Sequence, residues 1–150
     1  MSDLRQTIVD ATTAAMRQRD KARVAALRLV NSEIKRVEVD QRGGELDDDS
    51  VIEVLNRMLK QRKDSLRQFT DAKRIDLAEQ EQFEIDVITA FMPEPLSAAD
   101  LKTIIEQAVT DAQAQSMREM GKVMGLLREP LKGRADMGAV SAQVKALLGG

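Results

Sequence analysis

Apolar residues recur at spacings of three and four from one end of this 150-residue chain to the other, and a period of two is nowhere sustained. That pattern predicts an all-α fold. Ser2 is placed to cap a first helix carrying Leu4, Ile8, Ala11 and Ala15, and Asp20 a second carrying Val24, Leu27, Val30, Ile34 and Val37. Gly43 and Gly44 end the second run. The acidic cluster Glu45 to Asp49 precedes Ser50 and suits the positive end of a helix dipole. A third helix then presents Ile52, Leu55, Leu59, Leu66 and Phe69 on one side. Asp76 opens a fourth, with Leu77, Phe83, Val87, Ile88 and Phe91, and Pro93 with Pro95 stops it.

The proline pair is the best candidate boundary, because long helices precede it and shorter ones follow. The expectation is an N-terminal antiparallel helical domain, Met1–Met92, and a compact three-helix tail domain, Pro93–Gly150. Ser97 with Asp100 resembles a capping box ahead of Leu101, Ile104, Ile105, Ala108 and Val109. Ser116 with Glu119 is a stronger one, opening a helix whose Met117, Met120, Met124 and Leu127 are expected in the core. Pro130 and Gly133 break the chain, and Asp136 can cap a last helix with Val140, Val144, Leu147 and Leu148.

Composition removes chemistry more than it supplies it. Cysteine and histidine are both absent, which excludes disulfides, thiol catalysis, histidine triads and histidine metal sites. Asp47, Asp48 and Asp49 lack the alternating ligands of a calcium loop, so no metal and no cofactor is expected. With no Trp, no Tyr and three Phe, base stacking has few platforms. A net charge of -2 argues against bulk attraction to nucleic acid or membrane and leaves only local patches. No segment has the apolar length of a membrane span or a secretory leader, and a cytoplasmic location is the default expectation.

Charge is unevenly distributed. Glu38 to Glu53 holds seven acids and one base, whereas Arg57 to Arg74 holds seven bases and two acids. On a helical wheel Lys60, Lys63 and Arg67 fall within about 60° of one another, roughly 120° from the apolar stripe. They form either a solvated face that balances the neighbouring acids or a contact for an anionic partner. Arg62 falls inside the apolar arc, where a lone guanidinium is costly. If the third and fourth helices pair antiparallel, it can meet Glu81 or Glu84, with Glu84 the first choice, and the ion pair would set register. Gly121 and Gly125 inside a helix suggest close approach, by a neighbouring helix or by a nucleic-acid backbone. Lys132, Gly133 and Arg134 precede the helix start at Asp136 and read as an interhelical turn that can also contact phosphate. Brought together with Lys122, that turn would offer three cations on one patch.

Several of these residues carry a resemblance. Leu27-Arg28-Leu29, Glu33-Ile34-Lys35, Lys60 to Ser65, Gln68-Phe69, Met92-Pro93, Met120 to Met124 and Gly133 to Asp136 resemble the YqeY-like family of the GatB/YqeY group, over essentially the whole length. Through Gly121, Val123, Met124, Lys132, Gly133, Arg134, Ala135 and Asp136, the C-terminal half is also similar to the tail domain of the B subunit of glutamine-dependent aminoacyl-tRNA amidotransferases. There the tail is implicated in holding tRNA, and the transamidation belongs to other domains. The resemblance implies a non-catalytic tRNA-contact or accessory module, with tRNA or another structured RNA as partner. A protein-interaction adaptor using the cationic helix face is the rival. A carbon–nitrogen ligase with glutamine as amide donor follows from family association alone, since no cysteine or Ser-Ser-Lys constellation is present. Two departures stand out: Lys73 occupies a turn position where relatives commonly have glycine, and Met137-Gly138-Ala139 lacks a lysine often seen early in the last helix.

Overall fold

A computed structural model describes residues 1–149. All regular structure among them is helical, in two compact units, Met1–Met92 and Pro93–Gly150. The first unit holds α1 (Asp3–Arg17), α2 (Lys21–Asp40), α3 (Asp48–Asp71) and α4 (Ile75–Thr89). The second holds α5 (Ala98–Asp111), a 3₁₀ turn at Met117–Glu119, α6 (Met120–Leu131) and α7 (Met137–Gly149).

Helix starts follow side-chain caps. Ser2, Asp20, Asp47 and Ser97 each accept from the backbone N–H three residues on, satisfying a donor that the helix itself leaves open. α3 starts within the acidic cluster, where Asp47 supplies the cap and Asp48 and Asp49 lie in the first turn. α4 starts at Ile75 with no side-chain cap. Ser116 and Glu119 make the full reciprocal box, but they open the 3₁₀ turn that leads into α6. Pro130 does not break α6; it sits in the last turn, and the helix runs on to Leu131.

Four helix ends share one device. Arg19, Arg42, Lys73 and Gln113 have φ of 57°, 60°, 58° and 52°. In each case the following N–H donates back to a carbonyl five residues earlier: Asp20 to Ala15, Gly43 to Glu38, Arg74 to Phe69 and Ala114 to Val109. The departure at Lys73 thus lands on a left-handed position that favours glycine. At two of these ends the residue that closes one helix, Asp20 or Arg74, also begins the next, which gives the tight α1–α2 and α3–α4 hairpins.

Each unit closes its own core. Ile8, Val30, Ile34, Leu46, Val51, Val54, Leu55, Met58, Leu59, Ile85 and Ile88 pack together in the first, with Ala15, Ala26, Leu27 and Val87 beside them. In the second the core is Ile105, Ala108, Ala112, Val123, Leu127, Leu131, Val140, Val144 and Leu148. Against expectation Phe83, Met117 and Leu147 are exposed, while Ile85 and the loop residue Leu46 are buried. Of the face expected in the core, Leu127 is buried, together with Val123 and Leu131, while Met120 and Met124 lie at its margin.

Candidate functional site

Arg62 reaches from α3 to both acids of α4. Its Nη1 lies 3.0 Å from Glu84 Oε2 and 3.5 Å from Glu81 Oε2. Glu84 is the buried charged residue of this unit, 8% exposed, and the contacted oxygens of both glutamates accept no well-aligned hydrogen bond. Burial pushes the Glu84 carboxyl above its usual range; Arg62 opposes that shift and Glu81 adds to it. This contact is a structural clasp between two helices, and its guanidinium is committed inward.

On the other side of α3 Lys60, Lys63 and Arg67 are exposed. Arg67 has Asp64 at 3.5 Å, an exposed pair of little energetic weight. The strip between them consists of Lys60, Lys63, Asp64 and Arg67 and offers no apolar side chain.

The tail turn is more structural than its sequence suggested. Gly133 has φ of 71°, the Arg134 carbonyl accepts from Leu96 N–H at 3.2 Å, and Arg134 Nε donates to the Glu94 carbonyl at 3.3 Å. Arg134 therefore ties the Glu94–Leu96 segment to the turn, and Lys132 to Arg134 are half-buried. Asp136 accepts from Gly138 N–H at the start of α7. Lys122 does not join these residues on one patch. It lies in the first turn of α6 and Lys132 follows the last, about 15 Å apart along the axis at 1.5 Å per residue. Of the two approaches expected at Gly121 and Gly125, that of a neighbouring helix is corrected. A methyl group at either would meet nothing within 4 Å, because the core face of α6 is on the opposite side.

Sequence reasoning missed a half-buried polar network between α1 and α2. Arg5 donates to Asn31, whose amide donates to Thr12 Oγ1 and to the Leu27 carbonyl, both at 2.9 Å, and Arg5 Nε lies 3.7 Å from Glu38. The signal was Asn31, a polar residue one position from the buried stripe of α2. A shallow groove runs beside it, lined by Ser32, Lys35, Arg36, Val39 and Asp40; Arg36 pairs with Asp40 and Glu33, and Lys35 with Glu38. Among the described residues no group of three or more acids could hold a metal ion, and no helix is long and apolar enough to cross a membrane.

The family described as Yqey-like protein matches residues 5–148. The chain belongs to that family. It is 33% identical over 135 residues to altered inheritance of mitochondria protein 41, mitochondrial, of Candida glabrata, covering 88% of this chain and 70% of the relative. The protein of the same name in Pyrenophora tritici-repentis is 27% identical over 139 residues, covering 90% and 75%. That of Saccharomyces cerevisiae is 30% identical over 117 residues, covering 74% and 63%. These names overturn the cytoplasmic expectation. Lack of an apolar span separates membrane chains from others, but it does not distinguish the cytoplasm from the interior of an organelle.

Proposed function

We propose that this Yqey-like protein is a non-catalytic accessory module that holds tRNA, or another structured RNA, by its phosphate backbone. The observation that carries this reading is the exposed strip of Lys60, Lys63 and Arg67 on α3. Protein-binding surfaces centre on apolar or aromatic anchors and are depleted of lysine, whereas phosphate contacts need cations and little else. The strip has the second character. The resemblance of the tail turn to a tRNA-holding domain supports the same class of partner, with Lys122 and Lys132 as separate contacts along α6. The lack of Trp and Tyr favours backbone and shape over stacking on single strands.

Titration of bulk tRNA binding against salt tests the reading. Each phosphate contact should contribute about -0.7 to -0.9 to the slope of log affinity on log salt. Replacing Lys132 and Arg134 together by alanine should flatten that slope by about one contact, because part of Arg134 is already spent on Glu94. Identical binding by parent and double variant removes the tail from the interface. Binding that ignores salt removes the phosphate reading altogether.

A further inference from the structure

The α3–α4 hairpin outruns the core that supports it. Buried side chains on α3 stop at Leu59, and on α4 they begin at Glu84. Between Lys60 and Phe83 no residue is buried, although Leu66 still packs on the margin of the core and Phe69 and Leu77 are half-covered. At 1.5 Å per residue, Lys60 to Asp71 alone spans about 17 Å. This distal part is an arm of two helices.

The arm has two unlike edges. On α3 and the turn it carries Lys60, Lys63, Arg67, Lys73 and Arg74, all exposed, against two acids, Asp64 and Asp71. On α4 before Glu84 its exposed charges are Asp76 and Glu79, with no base; Glu81 is turned inward onto Arg62, and Asp76 lies 3.5 Å from Arg74 at the tip. An extended polyanion is therefore attracted along one edge and repelled from the other, which sets its orientation as well as its attachment. At the root of the arm, where α4 residues first become buried, Arg62 grips Glu81 and Glu84 and holds the two helices in register.

Resting on the RNA reading above, we infer that the arm is the primary RNA-contact element of this protein, laying its α3 edge and its Lys73–Arg74 tip along the sugar-phosphate backbone of a base-paired stem. A stem fits better than a single strand, because the cationic edge has no aromatic ring on which an unpaired base could stack. An acidic protein fits less well, because the α3 edge from Lys60 to Asp71 exposes no apolar anchor, and Ile75 beside the tip is a single exposed apolar side chain.

The test uses the full chain with three probes: bulk tRNA, polyuridylate and polyglutamate. The edge variant is K60Q/K63Q/R67Q and the tip variant K73Q/R74Q; glutamine keeps helix propensity at the helical positions, and circular dichroism and Tm report any folding defect. The edge variant should bind bulk tRNA tenfold or more weakly at low salt and flatten the salt slope by about two. The tip variant should flatten it by about one. If the parent binds tRNA and the edge variant matches it in affinity and slope, the arm is excluded, and RNA binding itself, shown by the parent, passes to the tail. A parent that binds no tRNA at any salt overturns both. Preference for polyuridylate over tRNA overturns the stem, and polyglutamate binding as tight as tRNA binding, lost in the edge variant, transfers the arm to an acidic protein partner.

Discussion

Arg62 can neutralise only one of the two carboxylates it touches, so the cluster at the root of the arm carries a net negative charge when both are ionised. Burial raises the Glu84 carboxyl above its ordinary 4.5, Arg62 opposes the shift, and the uncompensated Glu81 adds to it. A raised acid in the folded state contributes stability that is fully present below the ordinary value and lost as pH rises through the raised one. Glu84→Gln should therefore remove a fall in stability that the raised carboxyl causes as pH rises above its ordinary 4.5. Glu33, Glu45, Asp76 and Glu119, whose carboxyls are lowered, act with the opposite sign and cancel in the difference. Parallel urea-unfolding profiles of parent and variant as pH rises would sink the prediction. Arg62→Ala leaves two acids without their cation and should cost about 2–4 kcal/mol, less than a fully buried pair because Arg62 is 27% exposed. This contact was legible in the sequence because a charge inside an apolar arc must find a partner. The Arg5–Asn31 network was not, since both residues sit at the stripe's margin, where the chain alone leaves exposure open.

Helix ends and helix glycines show where element-level reading holds and where it fails. The starts at Ser2, Asp20 and Ser97 were legible because a short oxygen-bearing side chain precedes a periodic run. The ends were less so, because Arg19, Arg42, Lys73 and Gln113 occupy left-handed positions where glycine is the usual signal. Those four positions hold strain of about 1 kcal/mol each for an L-residue. Gln113→Gly should stabilise the second unit by about 0.5–1 kcal/mol without touching any cation of the arm. Gly121 and Gly125 present the reverse case. Periodicity shows that they lie within a helix but not whether anything packs on them, and in the structure nothing does. Gly121→Ala and Gly125→Ala should therefore each stabilise by about 0.8–1 kcal/mol, read as a shift in urea midpoint at unchanged m-value. Destabilisation by either alanine would mean that a second molecule or segment approaches α6 there.

At the scale of the molecule, two cores of apolar residues form within two separate runs of chain. Periodicity announces helices but not how many cores they share; here the helix-stopping prolines Pro93 and Pro95 fall where contacts divide. The compartment was not legible at all, since no pattern of burial or charge distinguishes one aqueous interior from another. Each unit buries its largest side chains against its own helices, so damage should stay local. Leu55→Ala and Leu127→Ala each remove a fully buried leucine and should each cost about 2–5 kcal/mol. In hydrogen exchange read segment by segment, Leu127→Ala should speed exchange in α5, α6 and α7 and leave α1 to α4 unchanged, with Leu55→Ala doing the reverse. In the double variant the two losses should add, because residues without shared partners do not couple. Faster exchange throughout the chain in either single variant would show one cooperative unit, and the arm would then lose stability from damage in the tail.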